Sequence, residues 1–341
     1  MKIITDRQAV LNVFERTRRA GAALFAPNAE LPAEIEGLCM GAQRYADDHR
    51  IKDLPLGIGM TGNYADNPQF RKMSTPCKTA EDISGFEGGD VLQGCEIWLR
   101  HLACYQDLLG YFPAVRMLPF IDHGWAPDPE DQRLLFNDDI VERMAVIMYD
   151  ASKLDWDENI ALTRKYVERY GKRVVVEAAC DKIYDPKDIT KLKLSREDQL
   201  SKPDRVEQFV RRTGVDLIVP NLGTEHRSVG VGRAERRYER ELARQIRDRV
   251  GTIQSLHGSS CLGGKVGSTP EDGIVKVNFY TAMAVDAGNR ICNLMHAHAD
   301  KVLKDRNLWI NSASYFHDIR RRHVADVCYE MLDTLGYGKL M

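Results

Sequence analysis

Val115-Arg-Met-Leu-Pro-Phe-Ile-Asp-His-Gly124 is an apolar run that ends abruptly in a carboxylate, an imidazole and a glycine. A buried strand reads this way when it delivers reactive groups to the rim of a sheet or barrel. The plainer reading is a strand that runs into an ordinary polar loop. Partners at the ends of other strands decide between the two.

Working outward, similar short apolar runs recur. Ala22–Ala26 and Leu54–Met60 precede the quoted strand, and Ala145–Tyr149, Arg173–Ala179, Val215–Val219, Thr252–Leu256 and Ile274–Asn278 follow it. Helical periodicity fills most gaps. Val10, Val13, Phe14 and Thr17 mark a helix to Arg19 that Thr5 could cap, and Ile35, Leu38, Ala42 and Tyr45 mark another over Leu31–Asp48. Further helices are expected over 95–109, 157–170, 204–212 and 234–249, with mostly helical chain from Thr281 onward. The glycines of Leu54-Pro-Leu-Gly-Ile-Gly-Met60 suggest close backbone approach. Eight strands separated by helices predict an α/β fold of the (β/α)8 barrel type, preceded by an N-terminal helix. A doubly wound open sheet is the competitor, but no G-x-G-x-x-G follows the first strand. The expectation is one barrel domain over residues 1–341. It would carry a polar insertion at about 64–90, a charged lid-like loop at about 180–202, and a helical extension from about 283.

Composition narrows the function classes. The 341 residues are 43% hydrophobic, enough for a sizeable core, and their net charge of −2 gives no general pull toward nucleic acid. No apolar run is long enough to span a membrane, and Asp6, Arg7, Glu15 and Arg16 break any apolar signal segment. The eight cysteines form no C-x-x-C pair, which argues against a thiolate zinc knot and suits free thiols in a reducing compartment. A cytoplasmic protein acting on a small molecule is expected.

The ends of the strands carry the chemistry. Asp122 and His123 follow the third strand, His226 the sixth, and His257 closes the seventh. Three imidazoles at one rim with an open fourth position suit a catalytic divalent ion, zinc first. Each histidine alone reads more plainly as a loop or core residue; the set together with Asp122 favours a site. His296 and His298 fall in a helical segment, where positions two apart face different ways, so they are left out. Gly258-Ser-Ser260 and Asn278-Phe-Tyr-Thr281 follow the last two strands, where barrels commonly bind phosphate; Thr281 could also cap the helix that starts there. Lys276 shares the face of Asn278 and suits a barrel-interior pair with Glu177 better than a Schiff base.

Taken together these residues resemble the class II, metal-dependent fructose-bisphosphate and tagatose-bisphosphate aldolases. The resemblance rests on Ile121-Asp-His-Gly124, Val176-Glu-Ala178, Gly214-Val-Asp216, Gly223-Thr-Glu-His226, Leu256-His-Gly-Ser-Ser260 and Val275-Lys-Val-Asn278-x-x-Thr281. Asn28 and Thr61 also match, and the ordered set covers residues 5 to 290. It implies that His123, His226 and His257 bind a divalent ion, usually zinc, and that Asp122 is the acid/base at the cleaved carbon. It also implies that Ser260, Asn278 and Thr281, with Gly258, hold the phosphate and hydroxyls of a dihydroxyacetone-phosphate-like moiety. A monovalent cation near the phosphate and a homodimer or larger assembly are further expectations of the same kind. The function implied is reversible aldol cleavage of a phosphorylated ketose.

The sequence also departs from the family pattern. Ala179 stands where a second glutamate is usual, Arg227 replaces a glycine, and Cys261 replaces a glycine or small polar residue. Asp181, Asp185 and Asp188 are candidate acids in the lid. Arg227 could engage a second anionic group, or simply begin the arginine-rich helix that follows. These departures leave open a non-catalytic or regulatory sugar-phosphate-binding barrel, or an aldolase with a non-standard substrate. A metal-dependent hydrolase would instead show an H-x-H at the first strand's end, where Asn28 stands.

Overall fold

The computed structural model describes residues 2–62, 69–74, 89–107, 110–184, 186–226, 238–262, 266, 270–304 and 313–340. After a two-residue strand β1 (Lys2–Ile3), eight parallel strands follow in order. They are β2 (Leu24–Pro27), β3 (Leu54–Thr61), β4 (Val115–Trp125), β5 (Val146–Asp150), β6 (Val175–Ala179), β7 (Leu217–Val219), β8 (Gln254–Leu256) and β9 (Ile274–Phe279). Each pairs with its successor from β3 to β9, and β9 pairs with β2 in the register Leu24↔Lys276 to Pro27↔Phe279. A parallel bridge Asn28↔Gly59, with the Ala29 N–H donating to Gly59 O, joins β2 to β3 and closes the ring. The fold is a (β/α)8 barrel.

Alternation along the strands sorts the core into two shells. Leu118 and Phe120 of β4 pack with Leu24, Ala26, Val146, Val175, Leu217 and Val275 inside the barrel, while Met117 and Ile121 pack outward under the helices. Helix α1 (Arg7–Arg19) closes the bottom by adding Val10, Val13 and Phe14 to the inner cluster. Its cap is Asp6, which accepts from the Ala9 N–H at 2.8 Å, and not Thr5. With the bottom plugged by apolar side chains, polar groups are left to the opposite end. That is the end of the strands where barrel sites form.

The glycines of β3 do make room. A Cβ on Gly59 would lie 2.3 Å from the Phe120 ring, and one on Gly57 would lie 2.9 Å from Ala26. Gly59→Ala is therefore expected to cost about 1–3 kcal/mol by overpacking, read as a lower urea midpoint at unchanged slope.

The stretch expected as a polar insertion holds a short helix (Gln69–Ser74), with 63–68 and 75–88 outside the described residues. The charged stretch after β6 is not plain loop: it carries a helix (Pro186–Leu192) and a 3-10 turn (Glu197–Gln199). Chain from Thr281 is helical over Thr281–Ala297, Ala299–Leu303 and Ala313–Thr334, and the last of these packs on helix Pro32–His49. No helix among the described residues is long and apolar enough to cross a membrane.

Candidate active site

A cavity of about 340 Å³ opens at the C-terminal ends of the strands. Asn28, Thr61, Asp122, His123, His226, His257, Gly258, Ser260, Asn278 and Thr281 all line it. Residues from six strand ends, far apart in sequence, thus meet in one place.

The pair Asp122-His123 needs a local irregularity to act together. In a regular strand successive side chains point to opposite faces. Here the register slips from Met60↔Ile121 to Thr61↔His123, and again between Ile121 and Gly124 against β5. Asp122 is the extra residue of a bulge, a device that re-aims side chains at barrel rims. Both groups therefore reach the cavity.

Asp122 is held on both oxygens. Asn28 Nδ2 donates to Oδ2 at 2.9 Å and Asn278 Nδ2 donates to Oδ1. Burial pushes its carboxyl up, but the neighbouring His257, His123 and Lys276 and the Asn28 amide outweigh that and hold it below the usual carboxylate range. It is present as the anion. Asn28 Oδ1 is buried and accepts no hydrogen bond among the described residues, so the cavity keeps one acceptor for a ligand.

The three imidazoles cluster tightly. Ring centroids lie 5.3 Å apart for His123 and His226, 5.8 Å for His123 and His257, and 6.0 Å for His226 and His257. Imidazoles sharing one tetrahedral ion, with bonds of about 2.0–2.1 Å, keep their centroids roughly 5 Å apart. The rings fit an ion after a slight contraction, although no set of three donors among the described residues already stands converged. Burial lowers the pKa of His123 against the pull of Asp150 and Asp122, which keeps the ring neutral, the form that ligates. The Asp150 carboxylate stands 3.5 Å from His123 Nδ1.

The loops after β8 and β9 form the other wall. Gly258 has φ +66°, and a Cβ there would lie 2.7 Å from Glu225 O, so only glycine lets the two loops pass. Thr224 Oγ1 donates to His257 O at 2.7 Å and ties the loop of His226 to that of His257. Ser260 Oγ accepts from the Ala282 N–H at 3.2 Å, at the start of helix Thr281–Ala297. Thr281 is the first residue of that helix and not its cap; the cap position is Tyr280, whose side chain makes no capping hydrogen bond.

The remaining candidates separate. Glu177 lies beneath the cavity floor, fully buried, 2.7 Å from Lys276 Nζ and 2.6 Å from His257 Nε2. Burial raises its pKa, yet Lys276 and the His257 hydrogen bond pull it down to about 2. A carboxylate with a depressed folded pKa stabilises fully above its unfolded value and loses that contribution as pH falls toward the folded one. Urea stability of the wild type should therefore fall more steeply between about 4.5 and about 2 than that of Glu177→Gln/Lys276→Met. Asp181 does not join the site: it accepts from Ser201 Oγ at 2.7 Å, pairs with Arg205 at 3.5 Å, and lines a separate small cavity. Arg227 and Asp185 lie outside the described residues, and so does the side chain of Asp188. Ala179 packs with Met148, Ile183 and Val219 in a small apolar cluster.

Sequence reading missed Gln69, Glu225 and Tyr280 in the lining. Gln69 accepts from the Thr61 N–H at 2.6 Å and donates to Glu30 at 2.7 Å, and Tyr280 also donates to Glu30. Nothing in the periodicity of a polar insertion singles out Gln69. Asp150 was findable, since it ends β5 as Asp122 nearly ends β4.

Residues 114–338 match the family model of class II fructose-bisphosphate aldolase, and the chain belongs to that family, whose members generally depend on a divalent metal. It is 28% identical to the uncharacterized protein YdjI of Escherichia coli K12 over 48% of this chain and 61% of that protein. It is 34% identical to a fructose-bisphosphate aldolase of Treponema pallidum over 31% of this chain and 30% of the relative. The chain thus spans less than two thirds of either curated relative. Among solved structures, the fructose-bisphosphate aldolase of Campylobacter jejuni superposes with a TM-score of 0.68 at 13% identity, covering 98% of this chain and 95% of that one. The YdjI aldolase of Escherichia coli K12 gives 0.58 at 20% identity and 95% of each chain. These two likenesses carry the fold.

Proposed function

We propose that the protein is a metal-dependent aldolase that reversibly cleaves a phosphorylated ketose, or condenses a dihydroxyacetone-phosphate-type donor with an aldehyde. The observation that carries this is the Asp122 carboxylate, gripped by two amides, beside three clustered imidazoles in one cavity. His123, His226 and His257 would hold a divalent ion, zinc first; when bound, such an ion stabilises negative charge on the oxygens of an enediolate.

The chain's own residues supply the rest. Asp122 as the anion takes the proton from the hydroxyl at the carbon that becomes the aldehyde, and returns it in condensation. Asn28 and Asn278 fix the carboxylate so that it meets that hydroxyl without reorganising. The open acceptor Asn28 Oδ1 suits a substrate hydroxyl, and Ser260 with the start of helix Thr281–Ala297 suits a phosphate. Ser260→Ala is expected to raise KM for a ketose phosphate about tenfold or more with little change in kcat, measured by steady-state kinetics.

Chelation should abolish cleavage and zinc should restore it, while borohydride added with substrate should trap no covalent adduct, since Lys276 is committed to Glu177. Cleavage that survives chelation, or a trapped lysine adduct, would overturn the reading. The substrate is proposed here at the level of a phosphorylated ketose. A screen over ketose mono- and bisphosphates names it. A monovalent cation by the phosphate and a homo-oligomer are part of the same proposal.

A further inference from the structure

Glu177 and Lys276 are fully buried and touch neither solvent nor the cavity, so the proposed reaction gives them no direct task. Replacing a buried ion pair by apolar side chains is often neutral for stability. What such a pair can do, and apolar groups cannot, is decide where neighbouring protons and amide atoms point.

The contacts run in a ring. Glu177 Oε2 accepts from Lys276 Nζ at 2.7 Å and Oε1 faces His257 Nε2 at 2.6 Å. Lys276 Nζ also donates to Asn278 Oδ1 at 2.6 Å, and Asn278 Nδ2 donates to Asp122. Asp122 Oδ1 lies 3.8 Å from His257 Nδ1, which closes the circuit. An ionised carboxylate only accepts, so the hydrogen of a neutral His257 sits on Nε2 and the Nδ1 lone pair faces Asp122 and the cavity. An ammonium only donates, so Asn278 must turn its oxygen to Lys276 and its NH2 to Asp122.

We propose that the Glu177–Lys276 pair is the positioning device of the site, setting the His257 tautomer on one side and the Asn278 amide orientation on the other. One lone pair and one carboxylate are thereby presented to the cavity together. The inference deepens the aldolase reading, on which the use of that lone pair rests, but the tautomer is a property of the metal-free protein.

The test follows the ring nitrogens of His257 by long-range proton–nitrogen correlation in metal-free protein labelled at histidine. Spectra are taken on the alkaline side, where the ring-nitrogen shifts no longer change with pH, so that the neutral ring is read directly. Wild type should show Nε2 carrying the hydrogen. In Glu177→Gln, Lys276 keeps the new carbonyl oxygen, the amide NH2 turns toward His257, and the hydrogen should move to Nδ1. Zinc affinity should then fall about 10–100-fold. In Glu177→Gln/Lys276→Met the amide is free to turn its oxygen back, and the wild-type tautomer and most of the zinc affinity should return.

A pair that merely packs would leave the tautomer unchanged in the single variant, and that result overturns the proposal. Should Glu177→Gln fail to fold, Glu177→Gln/Lys276→Met and Glu177→Met/Lys276→Met, both neutral and close in volume, carry the comparison. The first must keep the wild-type tautomer and the second must lose the preference; identical tautomers in the two would sink the idea. A tautomer that responds as stated in a protein that cleaves no ketose phosphate leaves the positioning role intact and removes the aldolase reading. Cleavage with an unresponsive tautomer does the reverse.

Discussion

Asp122→Asn is expected to lower kcat for ketose-phosphate cleavage by about 10²–10⁴-fold, the usual contribution of a positioned acid/base, with KM and zinc content close to wild type. The size follows from the role proposed for the carboxylate, which is to take the hydroxyl proton as the carbon–carbon bond breaks. The small collateral damage follows from the surroundings. An asparagine at 122 has one oxygen and one NH2 where the carboxylate had two acceptors, so one of the two flanking amides must turn over. Asn278 cannot, because its oxygen is bonded to Lys276 at 2.6 Å. Asn28 can, since its Oδ1 has no partner to lose among the described residues. The variant should therefore fold, bind zinc and bind substrate, whose hydroxyl can accept from the turned Asn28 NH2 in place of donating to its oxygen, yet turn over slowly. Single-turnover rates beside a zinc assay check this. A variant that keeps wild-type kcat would remove Asp122 from the chemistry.

That asymmetry between the two asparagines also shows how far the sequence could be read. Eight apolar runs and the polar residues that end them are local patterns, and they led to the barrel and to the groups around its mouth. The strand-end rule brought Asp122, His123, His226, His257 and Asn278 to one cavity without any contact being known, and the family resemblance added Asn28 and Thr61. It could not show that Asp122 and His123 share the cavity only because of a bulge, since alternation puts neighbours on opposite faces. Bulges arise from pairing between strands, and pairing register is not a local property of either strand. The same holds for Gln69. Its amide reaches the backbone of Thr61 from the start of a short helix, in a stretch whose composition resembles any polar loop. Asp181 failed in the opposite way. A carboxylate just after β6 looks like a rim acid, but Ser201 and Arg205 draw it into a separate cavity. The Glu177–Lys276 pair was legible because both sit at interior positions of their strands. Its reach to His257 and Asn278 was not.

Removing one imidazole should have an effect of the same order by a different route, and it is read without substrate. His257→Ala is expected to remove most of the zinc-dependent stabilisation and to abolish cleavage. An ion that binds the folded state alone adds RT ln(1 + [L]/Kd), about 2.7 kcal/mol at a hundredfold excess over Kd. Wild type should show this as a rise in urea midpoint on adding zinc. In His257→Ala two rings remain, His123 and His226, with centroids 5.3 Å apart. Two donors leave more of the shell to water and so a weaker site, and the zinc-induced rise should largely vanish. The metal-free stability of this variant also reports on the floor of the cavity. Glu177 loses the 2.6 Å contact with His257 but keeps Lys276, so the buried carboxylate is still compensated. The metal-free variant should therefore be weakened by no more than the few kcal/mol of a cavity and one lost hydrogen bond. Glu177→Gln, by contrast, leaves all three rings in place and should lower zinc affinity without erasing the zinc response. A zinc response in His257→Ala equal to that of wild type would mean that the ion, if held, is held elsewhere.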